Sequence, residues 1–169
     1  MSIPVVSVVA KSGTGKTTLL EKLIAELTRR GHRVGAIKHD AHSFSIDHKG
    51  KDSWRLTQAG AATMLLSSVD QVAMVRKNPD RREPQLTELI ARYCTHLDIV
   101  LTEGFKKSSM PKIEVQRRER SERLLCRDEE HDPHLIAVAS DCRPELDVPV
   151  FDINDAAGIC DFLEKKYLA

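Results

Sequence analysis

Between Ile3 and Leu27 the chain passes from an apolar, β-branched run through a glycine-containing turn into a run with helical spacing, and this segment constrains the fold more than any other. Ile3-Pro4-Val5-Val6-Ser7-Val8-Val9 reads as a buried strand. Leu19, Leu20, Leu23, Ile24 and Leu27 recur at helical spacing, with Glu21, Lys22 and Glu26 between them. The join, Ala10-Lys11-Ser12-Gly13-Thr14-Gly15-Lys16-Thr17-Thr18, has the pattern of a phosphate-binding loop, with Ala10 where the first glycine usually stands. Gly13 and Gly15 let the backbone curl until successive N–H groups face an anion. A helix opening near Lys16 adds unpaired amides and its positive dipole end. Lys16 can reach the outer phosphates, and the Thr17 hydroxyl can ligate Mg²⁺. Ser12, Gly13, Thr14, Gly15, Lys16, Thr17 and Thr18 are therefore the expected phosphate-binding residues, with Lys16 also a catalytic candidate.

The remaining pattern alternates strands and helices. Arg33–Lys38, Ala62–Leu66, Gln71–Val75, Asp98–Thr102, Leu135–Ala139 and Val148–Phe151 read as strands. Short helices are expected from Asp52 or Ser53 through Gln58, after Pro84, and after Asn154 or Asp155. Such alternation implies an α/β fold, a mostly parallel sheet with helices on both faces. The 169 residues suit a single domain spanning 1–169. Lys112–Arg117 alternates Ile113 and Val115 with polar residues and reads as an exposed or edge strand. Such an edge either pairs with a second copy of the chain or is an ordinary edge protected by its charges. Around it, Glu114, Glu119 and Glu122 interrupt Arg117, Arg118, Arg120 and Arg123, which reads as a solvated face.

Twenty-six basic against 25 acidic side chains leave a net charge of +1, so there is no global pull toward nucleic acid or membrane. There is no charged-then-apolar signal pattern and no apolar run of membrane-spanning length. Cys94, Cys126, Cys142 and Cys160 stand far apart and read as reduced thiols. The expectation is a cytoplasmic protein.

Glu103 ends an apolar strand ahead of Gly104. An acid there either faces a Mg²⁺–phosphate site, as ligand or water-polarising catalytic group, or simply faces solvent. Asp141 follows the Leu135–Ala139 strand. Its carboxylate can accept from the N1–H and amino group of guanine, or can cap its own loop. His39, Asp40, His42, Asp47 and His48 form either a polar switch loop or a metal set.

Several segments then act together: Ile37-Lys38-His39-Asp40-Ala41-His42, Gly50-Lys51-Asp52-Ser53, Ala59-Gly60-Ala61, Thr102-Glu103-Gly104-Phe105-Lys106, Lys112-Ile113-Glu114-Val115 and Ile136-Ala137-Val138-Ala139-Ser140-Asp141. With the loop, their order and spacing resemble the MobB family of molybdopterin-guanine dinucleotide biosynthesis adapter proteins. The likeness runs from about Val5 to the last helix. It implies a P-loop NTPase fold that binds GTP with Mg²⁺ and hydrolyses it weakly. It implies assistance to the MobA guanylyltransferase, which attaches GMP to molybdopterin. It also implies a homodimer built partly through an extended β segment. By the same resemblance Ser12 to Thr18 hold phosphates, the His39–Asp52 segment borders the nucleotide or pterin site, and Glu103 lies beside the metal. His39-Asp40-Ala41-His42 is less histidine-rich than the family's usual segment. Lys11 stands where related partitioning-type ATPases carry a lysine that reaches a partner subunit. The loop alone is equally compatible with a small-molecule kinase or a partitioning-type ATPase.

Overall fold

Val5–Val9 forms β1, buried along its whole length, and the larger sheet is ordered around it. The structure, a computed structural model, describes residues 3–40, 44–79, 82–129 and 131–169. In chain order β1 is followed by α1 (Lys16–Arg29), β2 (Val34–Lys38), α2 (Asp52–Gln58), β3 (Thr63–Ser67) and β4 (Val72–Arg76). Then come α3 (Leu86–Tyr93), β5 (Ile99–Glu103), β6 (Lys112–Gln116), β7 (Leu135–Ser140), β8 (Val150–Asp152) and α4 (Ala156–Leu163). Short π-type turns occupy Leu125–Glu129 and Glu164–Leu168.

The chain divides into two compact units, residues 1–39 with 90–169, and residues 40–89. In the first, six parallel strands run in the order β2-β5-β1-β6-β7-β8. All carboxyl ends therefore share one edge, and the order reverses direction at β1, which is where open α/β sheets hold ligands. On one face Leu19, Leu20, Leu23 and Leu27 of α1 and Ile159, Cys160 and Leu163 of α4 pack onto Val6, Val8, Leu101, Ile113 and Ala137. The opposite face of β6 and β7 is covered by Leu124, Cys126 and their neighbours, which enclose Val9 and Val138. Helix α1 closes at Gly31 (φ 96°), where Gly31 N–H donates to Thr28 O and His32 N–H to Leu27 O. In the unit of residues 40–89, β3 and β4 form an antiparallel two-stranded ribbon. There α2 begins at Asp52, one residue after its cap Lys51, so neither Asp52 nor Ser53 is the capping residue. At the last helix it is Asp155 that caps, its Oδ1 accepting from Gly158 N–H at 2.9 Å.

The parallel α/β architecture follows the expectation from sequence; the placement of Lys112–Arg117 does not. β6 is an interior strand, paired with β1 on one side and β7 on the other, and all five of its residues are buried. Its alternation misleads because two of its polar side chains are buried with partners. Lys112, 1% exposed, ion-pairs with Asp132 at 2.8 Å and donates to Ser108 O. Glu114, 2% exposed, accepts the N–H groups of Leu125 (2.7 Å) and Cys126 (3.0 Å), capping the π-type turn that covers the sheet. Burial pushes the Glu114 carboxyl above the ordinary carboxylate range, and those two N–H groups pull against it. A buried charge-bearing group is tolerated only when so satisfied. Glu114 therefore does not belong to a solvated face, and β6 offers no free edge to a second chain.

Replacing Ile113 and Val115 together with Lys would bury two unpartnered ammonium groups. The expected loss is roughly 5 kcal/mol or more, comparable with the whole stability of a domain. Circular dichroism on heating should then show no cooperative transition; a folded variant would overturn the interior placement of β6.

Candidate functional site

The loop after β1 is built by alternating turns of handedness. Gly13 (φ 76°) and Gly15 (φ 96°) take left-handed backbone that a side chain would strain. Thr14 between them is 1% exposed, and its hydroxyl donates to Lys11 O at 2.9 Å, closing the curl. Gly15 is the cap of α1, with no side-chain acceptor for the amides that follow and no acid in the first helical turn. The positive end of the helix is thus left for an external anion. Ser12, Gly13, Thr17 and Thr18 are exposed, as anion contacts require.

Lys16 folds back over this loop, its Nζ donating to Lys11 O at 3.1 Å and Ala10 O at 3.4 Å. Burial pulls its ammonium below the ordinary lysine range; Glu103 opposes that, while Lys106 and Lys38 add to it. Such a cation gains from an arriving phosphate, because the anion relieves both the desolvation and the repulsion.

Glu103, the last residue of β5, sits across from the loop. Its Oε2 accepts from Thr17 Oγ1 at 2.9 Å, and its Oε1 lies 3.7 Å from Lys38 Nζ at the end of β2. Strand register explains this meeting: Glu103 pairs with Val8 on β1 and with Lys38 on β2. Beneath it, Thr102 Oγ1 donates to Ser7 Oγ at 2.8 Å, both residues fully buried, and Gly104 N–H donates to Val8 O. At Gly104 (φ 95°) an added Cβ would lie 3.2 Å from the His39 Cβ, so the chain turns sharply away from the acid there. His39 N–H donates to Glu103 O at 3.0 Å, and its ring packs against Phe105 with centroids 5.1 Å apart. The hydroxyl of Thr17 and the carboxylate of Glu103 are hard oxygen donors side by side at the loop, a set that fits Mg²⁺.

Asp141, just beyond β7, lies on the same sheet edge. Its Oδ1 accepts the N–H of Arg118 at 2.9 Å, so one oxygen serves as a loop cap. It also lines a shallow cleft with Arg143, Phe151 and Asp152 at the ends of β7 and β8. Asp141 thus stands near the chain end of β6 but away from Glu103, since β1 and β6 lie between β5 and β7 in the sheet.

Two contacting residues were not among the expected phosphate, metal or guanine residues, although Lys38 belongs to a segment that carries the family resemblance. Lys38 reaches Glu103, and Arg117, just past β6, donates from Nε to Thr14 O at 3.1 Å. Both are ordinary basic residues in sequence; only the strand order brings them to the loop. Lys11 ion-pairs with Glu129 of its own chain at 2.8 Å. Of the histidine-rich segment, His42 lies outside the described residues. Asp47 serves its own turn, Oδ1 accepting from His48 N–H and Ser53 Oγ. Among the described residues no three His, Cys, Asp or Glu side chains gather as a metal set. Cys94, Cys126, Cys142 and Cys160 are all free thiols.

Lys16→Ala removes the cation from the loop without touching the core. The expected loss in affinity for a phosphate-bearing ligand is about 2–5 kcal/mol, as for a charge-assisted contact in a partly desolvated site. Calorimetry with a nucleoside triphosphate on the folded variant checks it.

The sequence model described as molybdopterin guanine dinucleotide synthesis protein B, MobB, matches residues 5–141. A molybdopterin-guanine dinucleotide biosynthesis adapter protein of Escherichia coli K12 is 45% identical over 165 residues, 95% of this chain and 91% of that protein. Its counterpart in Haemophilus influenzae is 40% identical over 164 residues, 96% of this chain and 88% of that one. Among solved structures, a crystal structure of molybdopterin-guanine biosynthesis protein B superposes with a TM-score of 0.76 at 27% identity, covering 96% of this chain and 99% of that one. That of Bacillus subtilis MobB gives 0.75 at 26% identity, covering 98% of each. A parallel sheet carrying a phosphate loop at its reversal point is shared by many chemistries, but agreement along nearly the whole length is not, and the chain belongs to the MobB family.

Proposed function

We propose that the chain is a GTP-binding adapter in molybdopterin-guanine dinucleotide biosynthesis that works beside the MobA guanylyltransferase. The observation that carries the nucleotide part is the loop itself: an uncapped helix N-terminus, Lys16 folded over it, and the Thr17–Glu103 pair at its side. The adapter part is supported by the printed names of the Escherichia coli and Haemophilus influenzae relatives. Ser12 to Thr18 hold the phosphates, and Thr17 and Glu103 hold Mg²⁺. That ion neutralises phosphate charge when bound. Asp141 reads guanine on the β7 side, using the oxygen that does not serve Arg118. The chain occupies a single functional domain in the cytoplasm, and none of the described helices is long and apolar enough to cross a membrane. Neither nucleic acid nor membrane is a partner in this reading; molybdopterin or its guanine dinucleotide is.

Hydrolysis is slow. Glu103 both orients Thr17 and faces Lys38, so it serves the metal before it serves a water. A kinase or a partitioning-type ATPase would use the same loop, but nothing at this site favours either over the family's adapter role.

The chain forms a homodimer, with the pairing surface moved from β6 to the β3–β4 ribbon. Leu65, Val72 and Met74 share one face of that ribbon by register, and they are 58%, 69% and 40% exposed. Both strands have an unpaired outer edge among the described residues. A two-stranded ribbon is marginal by itself and gains from added strands.

Calorimetric titration with Mg²⁺, with and without molybdopterin, should show GTP bound more tightly than ATP. Asp141→Asn should weaken GTP alone, because the amide group that replaces the carboxylate has one acceptor fewer for the guanine N–H groups, while the phosphate contacts stay in place. Equal affinity for both nucleotides would remove guanine reading. Leu65→Lys with Met74→Lys should leave a folded chain that sediments as a monomer at micromolar concentration, where the unmodified chain sediments as a dimer.

A further inference from the structure

We propose that Arg117 is a positioning residue of the nucleotide site, fixing the one peptide plane that aims the Gly15 amide at the phosphates. The proposal rests on the nucleotide reading above and deepens it.

A trans peptide is planar, and its C=O and N–H point in opposite directions. Holding the Thr14 carbonyl from outside therefore sets the direction of the Gly15 N–H. Arg117 does the holding, with Nε donating to Thr14 O at 3.1 Å. Its guanidinium lies against Gly15, with Nε and Nη2 each 3.7 Å from where a Cβ would stand. This peptide most needs an external hold. Gly15 is in left-handed backbone at φ 96°, and glycine occupies either sign of φ with little penalty. Without a partner for the carbonyl, the Thr14–Gly15 plane can rotate and turn the N–H away.

The other side of the loop has its own holds. Lys11 O accepts from Thr14 Oγ1 and Lys16 Nζ, and Ala10 O from Lys16 Nζ. Those are made within the loop, and the two from Lys16 would be given up if its ammonium turned to a phosphate. The Arg117 contact comes from another strand and does not depend on Lys16. The base of Arg117 is itself anchored. Its carbonyl accepts from Arg120 N–H (2.9 Å) and Ser121 N–H (3.0 Å), and the next N–H, of Arg118, donates to Asp141 Oδ1. A side chain that is half-buried, rooted in a turn and bonded to the loop carbonyl is placed to pre-organise the amides, which lowers the cost of ordering them on binding.

The test uses the full chain with Arg117→Ala, Arg117→Lys and Lys16→Ala. Calorimetry measures GTP and GDP, and the Gly15 amide is followed by ¹H–¹⁵N spectra during GDP addition. Arg117→Ala should bind both nucleotides roughly tenfold more weakly, by the same factor, as expected when one residue's backbone must be ordered on binding. The downfield movement of the Gly15 amide should be lost. Arg117→Lys should recover part of both, because an ammonium can still donate to the carbonyl. If Arg117→Ala does not fold, Arg117→Met keeps the stem without an N–H donor and carries the same comparison. Unchanged affinity in the arginine variants, with binding lost in Lys16→Ala, overturns the positioning role alone. A loss confined to GTP overturns it too, since that marks direct contact with the terminal phosphate. Unchanged affinity in Lys16→Ala as well overturns the nucleotide reading and this proposal with it.

Discussion

Double-sided pairing of β1 is the constraint on which the site depends. β1 carries the loop, and it is hydrogen-bonded to β5 on one side and β6 on the other, all parallel. Parallel pairing puts every carboxyl end on the same edge, so residues far apart in the chain meet around one turn. Glu103 arrives from β5, Lys38 from β2 through its pairing with β5, and Arg117 from β6. The buried Ser7–Thr102 hydrogen bond joins β1 to β5 directly beneath that edge. Movement of Glu103 relative to the loop would break a fully desolvated polar pair.

The electrostatics follow from that geometry. Burial raises the cost of the Lys16 charge most, the nearby Lys106 and Lys38 add to it, and Glu103 offsets part of it. The helix N-terminus beside them has no side-chain cap and no acid in its first turn. This is an excess of positive potential on one side of β1, in a chain whose net charge is only +1. An anion with several negative oxygens would relieve it, and in the proposed reading a hard cation between Thr17 and Glu103 would take over the role of their hydrogen bond. On the other side of β1, Arg117, Arg118 and Asp141 form a chain of contacts that serves position more than charge.

The buried polar residues of β6 are of a different kind. Lys112 with Asp132, and Glu114 with the N–H groups of Leu125 and Cys126, fasten the segments that carry those partners over the sheet. Burying them costs solvation, which their partners offset, and removing either partner would leave a group unsatisfied in the interior. They secure the face opposite α1 and α4, and hence the strand from which Arg117 projects.

How much of this was legible in the sequence differs by scale. Local chemistry was plain: a β-branched run, glycines at fixed spacing and a leucine stripe specify strand, anion loop and helix, because each depends only on near neighbours in the chain. The segments after it named the family. Glu103 could be placed at a strand end, and the family resemblance put it with Thr17 beside the metal, but their direct hydrogen bond rests on β5 lying beside β1. β6 was misread as an edge because Lys112 and Glu114 look solvent-facing until Asp132 and the 125–126 amides are brought to them. The pairing of Arg117 with Thr14 was invisible for the same reason. The sequence by itself determined the main elements, the P-loop pattern between β1 and α1, and the family. Strand order, and with it which charged residues are buried and which converge on the loop, was decided only by the tertiary structure, because parallel pairing joins residues that no local pattern connects.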